Sequence, residues 1–180
     1  MNRPDPAPNS LPAHVLGLCL LRGGPQDLPY SPGLLIALLV ASTLLDVLLG
    51  SGLAGDPNAF ARSALSSLVI LGLCWVALAL CELRNRYVQT ATAIVAASMA
   101  FTLVQGFVLL VGGMPPATTP ASAGQILMAW LLFAVFLWQL VVIAHIVRHA
   151  TEMRPGFALA LVVAWIIAWW AIERIVFGAG

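Results

Sequence analysis

Five runs of about twenty apolar residues, each closed by a breaker, constrain this chain more than anything else in it. The first, residues 33–53, reads GLLIALLVASTLLDVLLGSGL. The others cover residues 63–83, 88–111, 125–147 and 157–177, and GSGLAGDPN, ELRNR, GGMPPATTPASAG and RHATEMRPG punctuate the series. At helical rise, about 20 residues cover the ~30 Å hydrocarbon core of a bilayer. Backbone amides have no water partner there, so each run is expected to be a helix. The blocks are continuous rather than alternating, which sets a transmembrane β-barrel aside. Composition agrees: 61% of residues are hydrophobic and 8% charged, against about 25% charged in a soluble domain. The expected fold is all-α, a polytopic bundle of five spans. Residues 1–32 form a cytoplasmic N-terminal segment with a short interfacial helix, and residues 33–180 form the transmembrane domain.

Arginine placement orients the bundle. All eight basic residues are arginine. Arg3, Arg22, Arg84, Arg86, Arg148 and Arg154 fall on the side of the N-terminus, and Arg62 and Arg174 on the other. A six-to-two bias puts the N-terminus in the cytosol and the C-terminus outside a cell (inner) membrane. Tyr30 and Tyr87 then lie at the inner interface, and Phe60, Trp130, Trp169 and Trp170 near the outer one, as an aromatic belt would. Trp75, Trp138 and Trp165 lie deeper and are expected to pack.

The stretch LPAHVLGLCLL, residues 11–21, is too short to span and suits a three-turn helix in the interface. Gly23, Gly24 and Pro25 stop it, and Pro32 suits the first turn of the next helix. The opening MNRPDPAPNSLP makes a poor signal peptide. Leu18 stands where the lipoprotein box suggested by Cys19 would need a small residue. Cys74 and Cys81 end or interrupt apolar runs and are expected, with Cys19, to be small buried hydrophobes rather than a disulfide framework.

Small residues recur at four-residue spacing: Ala37 and Ala41, Ala93 and Ala97, and Ala160, Ala164 and Ala168. Close helix approach drives association in lipid, so these faces are expected to point inward. Ser98, Thr102 and Gln105 share a side of the third span, and Gln139 lies at mid-depth in the fourth. The expectation is interhelical hydrogen bonding, with a polar path as the functional alternative.

Charge at membrane depth costs about 2.5–3.5 kcal/mol at a helix centre, which makes it the best lead to function. Asp46 lies two-thirds of the way through the first span. Arg62, Glu173 and Arg174 are at its level, and a network of Asp46 with Arg62 or Arg174 is expected. On the cytoplasmic side His145 and His149 share a helix face, and Cys81 and Glu82 end the second span near them. These types can ligate zinc, but the spacing matches no metal motif, so no metal or cofactor is expected. No nucleophile stands with a base and no glycine loop follows a strand, so no enzyme is expected. The absence of any basic run excludes a nucleic-acid partner.

Five spans, a cytoplasmic segment with a short apolar helix, and GPQDLPYSPGLL leading into the first span together resemble the bacterial branch of the Yip family. The resemblance is one of architecture and implies a multi-pass inner-membrane protein. Eukaryotic members are linked to Rab GTPases, but this chain has no long cytosolic domain for one, and no functional residue transfers. The leading expectation is a non-enzymatic scaffold or accessory subunit that contacts lipid and other membrane proteins or itself. The alternative is a small transporter or permeation pathway using Asp46 and the polar faces of the third and fourth spans.

The orientation is open to a direct test. In intact cells, a membrane-impermeant reagent should reach a tag on the C-terminus and not one on the N-terminus. Both tags on one side would contradict an odd number of spans.

Overall fold

The computed structural model describes residues 11–52, 55–112 and 122–178. They form six α-helices and no strand: α1 (Leu11–Cys19), α2 (Pro32–Gly52), α3 (Ala59–Leu80), α4 (Tyr87–Gly112), α5 (Ala123–Thr151) and α6 (Pro155–Phe177). Helices α2 to α6 are long and apolar enough to cross a membrane. Their outer surfaces carry large apolar side chains with no protein neighbour, such as Leu48, Leu68, Leu80 and Ile175. A water-facing surface of that kind would aggregate, so the chain is a multi-pass membrane protein in contact with lipid.

Local chemistry sets the helix ends. Pro32 and Pro155 open α2 and α6 at a position that needs no amide donor. Ser122 caps α5: its hydroxyl accepts from the Gln125 amide at 3.3 Å, and the Gln125 side chain accepts from the Ser122 amide at 2.8 Å. Three helix ends close on non-glycine residues in the left-handed region, Leu21, Glu82 and Glu152. At the first two, paired backbone bonds follow the Schellman pattern, Arg22 N to Gly17 O and Leu21 N to Leu18 O, then Leu83 N to Leu78 O and Glu82 N to Ala79 O.

Helices α3, α4, α5 and α6 pack as a ring, each against the next, with α6 returning to α3. Helix α2 lies outside it against α3 and α4. The half of the ring next to the α3–α4 and α5–α6 turns is dry. Cys74, Leu78, Ala93, Ile94, Ala97, Val142, Ile146, Val147, Ala150 and Ala158 are each 1% exposed or less. The alanine stripe of α4 therefore points inward as expected. Those of α2 and α6 do not: Ala37, Ala41, Ala160 and Ala164 are exposed. Helix α6 turns Ala158, Val162 and Trp165 to the core instead. Of the three deep tryptophans only Trp165 is buried, and Trp75 and Trp138 are half exposed.

The short helix α1 is present, and it is docked rather than free. It packs against α4 and α5 and lines an apolar groove with Leu38, Ala96, Met99, Ala100 and Leu103. Those α4 residues lie nine to sixteen positions beyond Tyr87, about 14–24 Å along the helix. Leu18 and Leu28 are 1% and 2% exposed and join the main core. Polar side chains satisfy the carbonyls that follow α1. Trp138 Nε1 donates to Cys19 O at 3.0 Å, Gln89 Nε2 donates to Leu28 O at 2.9 Å, and His145 Nε2 sits 2.9 Å from Gly23 O. Burial also pushes the Cys19 thiol up, which keeps it protonated and inert.

Gln89→Leu keeps the side-chain volume and leaves the Leu28 carbonyl unpaired. It should lower thermal stability in detergent by about 1–3 kcal/mol. No change would mean that the elbow is not held by this bond.

Candidate functional site

The C-terminal ends of α2 and α6 meet the N-terminal end of α3 at a small vestibule of about 270 Å³ lined by Asp46, Gly50, Asp56, Ala59, Arg62, Ser63, Ser66, Trp169 and Glu173. The α2–α3 turn builds one wall. The Asp56 carboxylate accepts from the Asn58 amide at 2.9 Å, and the Asp56 amide donates to Gly50 O at 2.9 Å. Gly50 is required there. A Cβ at this position would stand 2.9 Å from the Ala59 Cβ, which has no rotamer with which to yield.

Arg62 organises the charges. Its Nη1 donates to Glu173 Oε1 across α3 and α6. Its Nε lies 2.9 Å from Asp56 Oδ2, in an off-line geometry that makes this an ion pair without a hydrogen bond. The guanidinium carbon also sits 4.8 Å from the Phe177 ring centroid, a cation–π contact. Asp46 does not join this network, contrary to the sequence expectation. Its Oδ2 accepts from Ser63 Oγ at 2.9 Å, and no ion pair to it occurs among the described residues. Arg174 stays outside as well: it is exposed and lies over Trp170 at 4.8 Å. The physical reason is register. Arg62 is one residue before Ser63, so α3 directs the hydroxyl at α2 and the guanidinium at α6.

A second cavity, of about 180 Å³, runs along the axis of the four-helix ring. Every ring helix contributes: Ser66 and Ile70 from α3, Ile94 and Ser98 from α4, Phe136, Gln139, Leu140 and Ile143 from α5, and Val162, Trp165, Ile166 and Trp169 from α6. Gln105 Nε2 donates to Gln139 Oε1 at 3.1 Å and ties α4 to α5, an interhelical bond of the kind expected of these polar residues. Ser66 and Trp169 line both cavities, so the vestibule and the axial cavity adjoin. The Trp169 Nε1 atom is buried and has no hydrogen-bond partner among the described residues. The dry half of the ring closes the axis at its other end.

His145, His149, Cys81 and Glu82 do not assemble into a site. His145 and His149 stack edge-to-face at 4.4 Å, and His145 faces the Gly23 carbonyl. Cys81 and Glu82 lie at the end of α3, with Glu82 exposed in its left-handed turn. Glu152 pairs with Arg86 at 2.7 Å instead. No group of three or more potential ligands converges as a metal site among the described residues.

Sequence reasoning missed Ser63, Ser66, Asp56 and the position of Trp169. The signal was there in part. Ser63 and Ser66 are three apart on one helix face, as Asp46 and Gly50, and Trp169 and Glu173, are four apart. The chain matches no family model, no curated protein and no solved structure.

Two substitutions separate the charges. Arg62→Ala leaves Glu173 and Asp56 without their cation and should destabilise the detergent-solubilised protein by about 1 kcal/mol, the upper end for partly exposed pairs. Asp46→Asn keeps an acceptor for Ser63 and should shift stability less. Equal losses in thermal melts would mean that Asp46 belongs to the ion-pair network after all.

Proposed function

We propose that this protein is a small integral membrane carrier or receptor with an outward-facing chamber for a small solute, formed by the vestibule and the axial cavity together. One observation carries the reading. Asp46, the carboxylate deepest in a span, lines an open vestibule and holds only a serine, while the neighbouring arginine is committed elsewhere. A charge kept at that depth without a structural counter-ion is a functional group by default. The adjoining axial cavity is mostly apolar with a few convergent polar groups, the usual make-up of a small-molecule site. Its closed cytoplasmic end fits a site reached from one side at a time rather than a continuous pore.

The scaffold reading keeps one observation in its favour. The alanine stripes of α2 and α6 face outward, where a second membrane protein could pack on them. It gives Asp46 and the buried Trp169 N–H no role, so the chamber reading ranks above it. The Yip-like layout supports either, because it brings no ligand-binding residue with it.

Accessibility tests the chamber. With Cys19, Cys74 and Cys81 replaced by serine or alanine, Ser66→Cys should react with a membrane-impermeant thiosulfonate added outside proteoliposomes. Ala77→Cys, in the dry half at 5% exposure, should not. Equal protection of the two would remove the chamber and the function built on it.

A further inference from the structure

The walls of the chamber specify the chemistry of its occupant in three layers, and the assignment rests on the chamber reading above. We infer that the ligand is a small organic ammonium, with a hydrogen-bond acceptor about one helical turn inward of its cationic head and an aromatic or short apolar tail.

The head is set by charge. Asp46, Asp56 and Glu173 face the vestibule with Arg62 as the only cation in its lining. Arg62 is shared by Asp56 and Glu173, which leaves Asp46 with a neutral donor, Ser63. A carboxylate in a low-dielectric wall is best completed by a cation, because the attraction between the two charges is screened less there than in bulk water. The same excess of negative charge repels phosphate and carboxylate, so the zwitterionic headgroup of a phospholipid fits poorly.

The middle layer is set by Ser66. It lies about one turn inward of Ser63, the partner of Asp46, and lines both cavities, so its hydroxyl stands where it can donate to an acceptor carried at that level.

The tail is set by volume. The axial cavity, about 180 Å³ and bounded by Ile70, Ile94, Val162, Trp165 and Ile166, is close to the roughly 150 Å³ apolar cavity that accepts a benzene ring. A phenyl group fits there, and two acyl chains do not.

Phenylacetylcholine carries all three elements and serves as the probe. It should protect Ser66→Cys from the impermeant thiosulfonate in protein that keeps Asp46. Its uncharged carbon isostere, 3,3-dimethylbutyl phenylacetate, should need at least about tenfold more for the same protection, as expected for a lost ion-assisted contact. In direct binding to the unmodified protein, followed by tryptophan fluorescence, Asp46→Asn should weaken the probe by at least about tenfold. Equal protection by probe and isostere would overturn the ligand class, as would no protection by either while Ser66→Cys still reacts; both results leave the chamber standing. An unreactive Ser66→Cys would remove the chamber itself. The isostere comparison is made with Asp46 in place, so it decides even if Asp46→Asn fails to fold.

Discussion

Inside a bilayer no water is present to bond a backbone amide, and each unsatisfied group costs several kcal/mol. The rest of this structure depends on that constraint. It forces the five apolar runs into helices, confines the turns to the edges, and makes every interruption of the helical pattern conspicuous. It also explains how α1 can dock so far along α4. The carbonyls that follow its last turn would be orphans against apolar neighbours, and the side chains of Trp138 and Gln89, with His145 facing Gly23, meet them one by one.

The same constraint divides the bundle into two halves of different character. Next to the α3–α4 and α5–α6 turns the ring closes on alanine, valine and isoleucine, with Ala93 and Ala97 fully buried. Small side chains let backbones approach and dispersion replace the hydrophobic drive that lipid removes. Toward the α2–α3 turn the packing includes Ser63, Ser66, Ser98 and the Gln105–Gln139 pair, and it leaves space. Arg62 holds that half together. By reaching Glu173 from α3 it fixes α6 across the ring, and by taking Asp56 it fixes the α2–α3 turn. Asp46 is left to a hydroxyl.

The histidine pair of α5 shows why shared helical spacing is a weak guide to chemistry. His145 and His149 do share a face and touch, yet the α3 end that carries Cys81 and Glu82 turns elsewhere, and Glu152 finds Arg86. Spacing along one helix places two groups reliably. A third group from another helix depends on interhelical register, which a single sequence does not encode in any local pattern.

Hydropathy, breaker residues and arginine placement by themselves determined the class, the number of long helices and the expected orientation, because each is a local response to lipid. Interhelical hydrogen bonding was legible in the amides Gln105 and Gln139, though not which partner each would take, and the inward alanine face of α4 as a four-residue repeat. Only the tertiary structure decided that the alanine faces of α2 and α6 turn outward, that Arg62 chooses Glu173 over Asp46, and that Ser66 and Trp169 join two cavities. Those outcomes hang on helix rotation. Rotating a helix about its axis by one residue, about 100°, changes every neighbour it meets, and that angle is set by all the contacts of the bundle together.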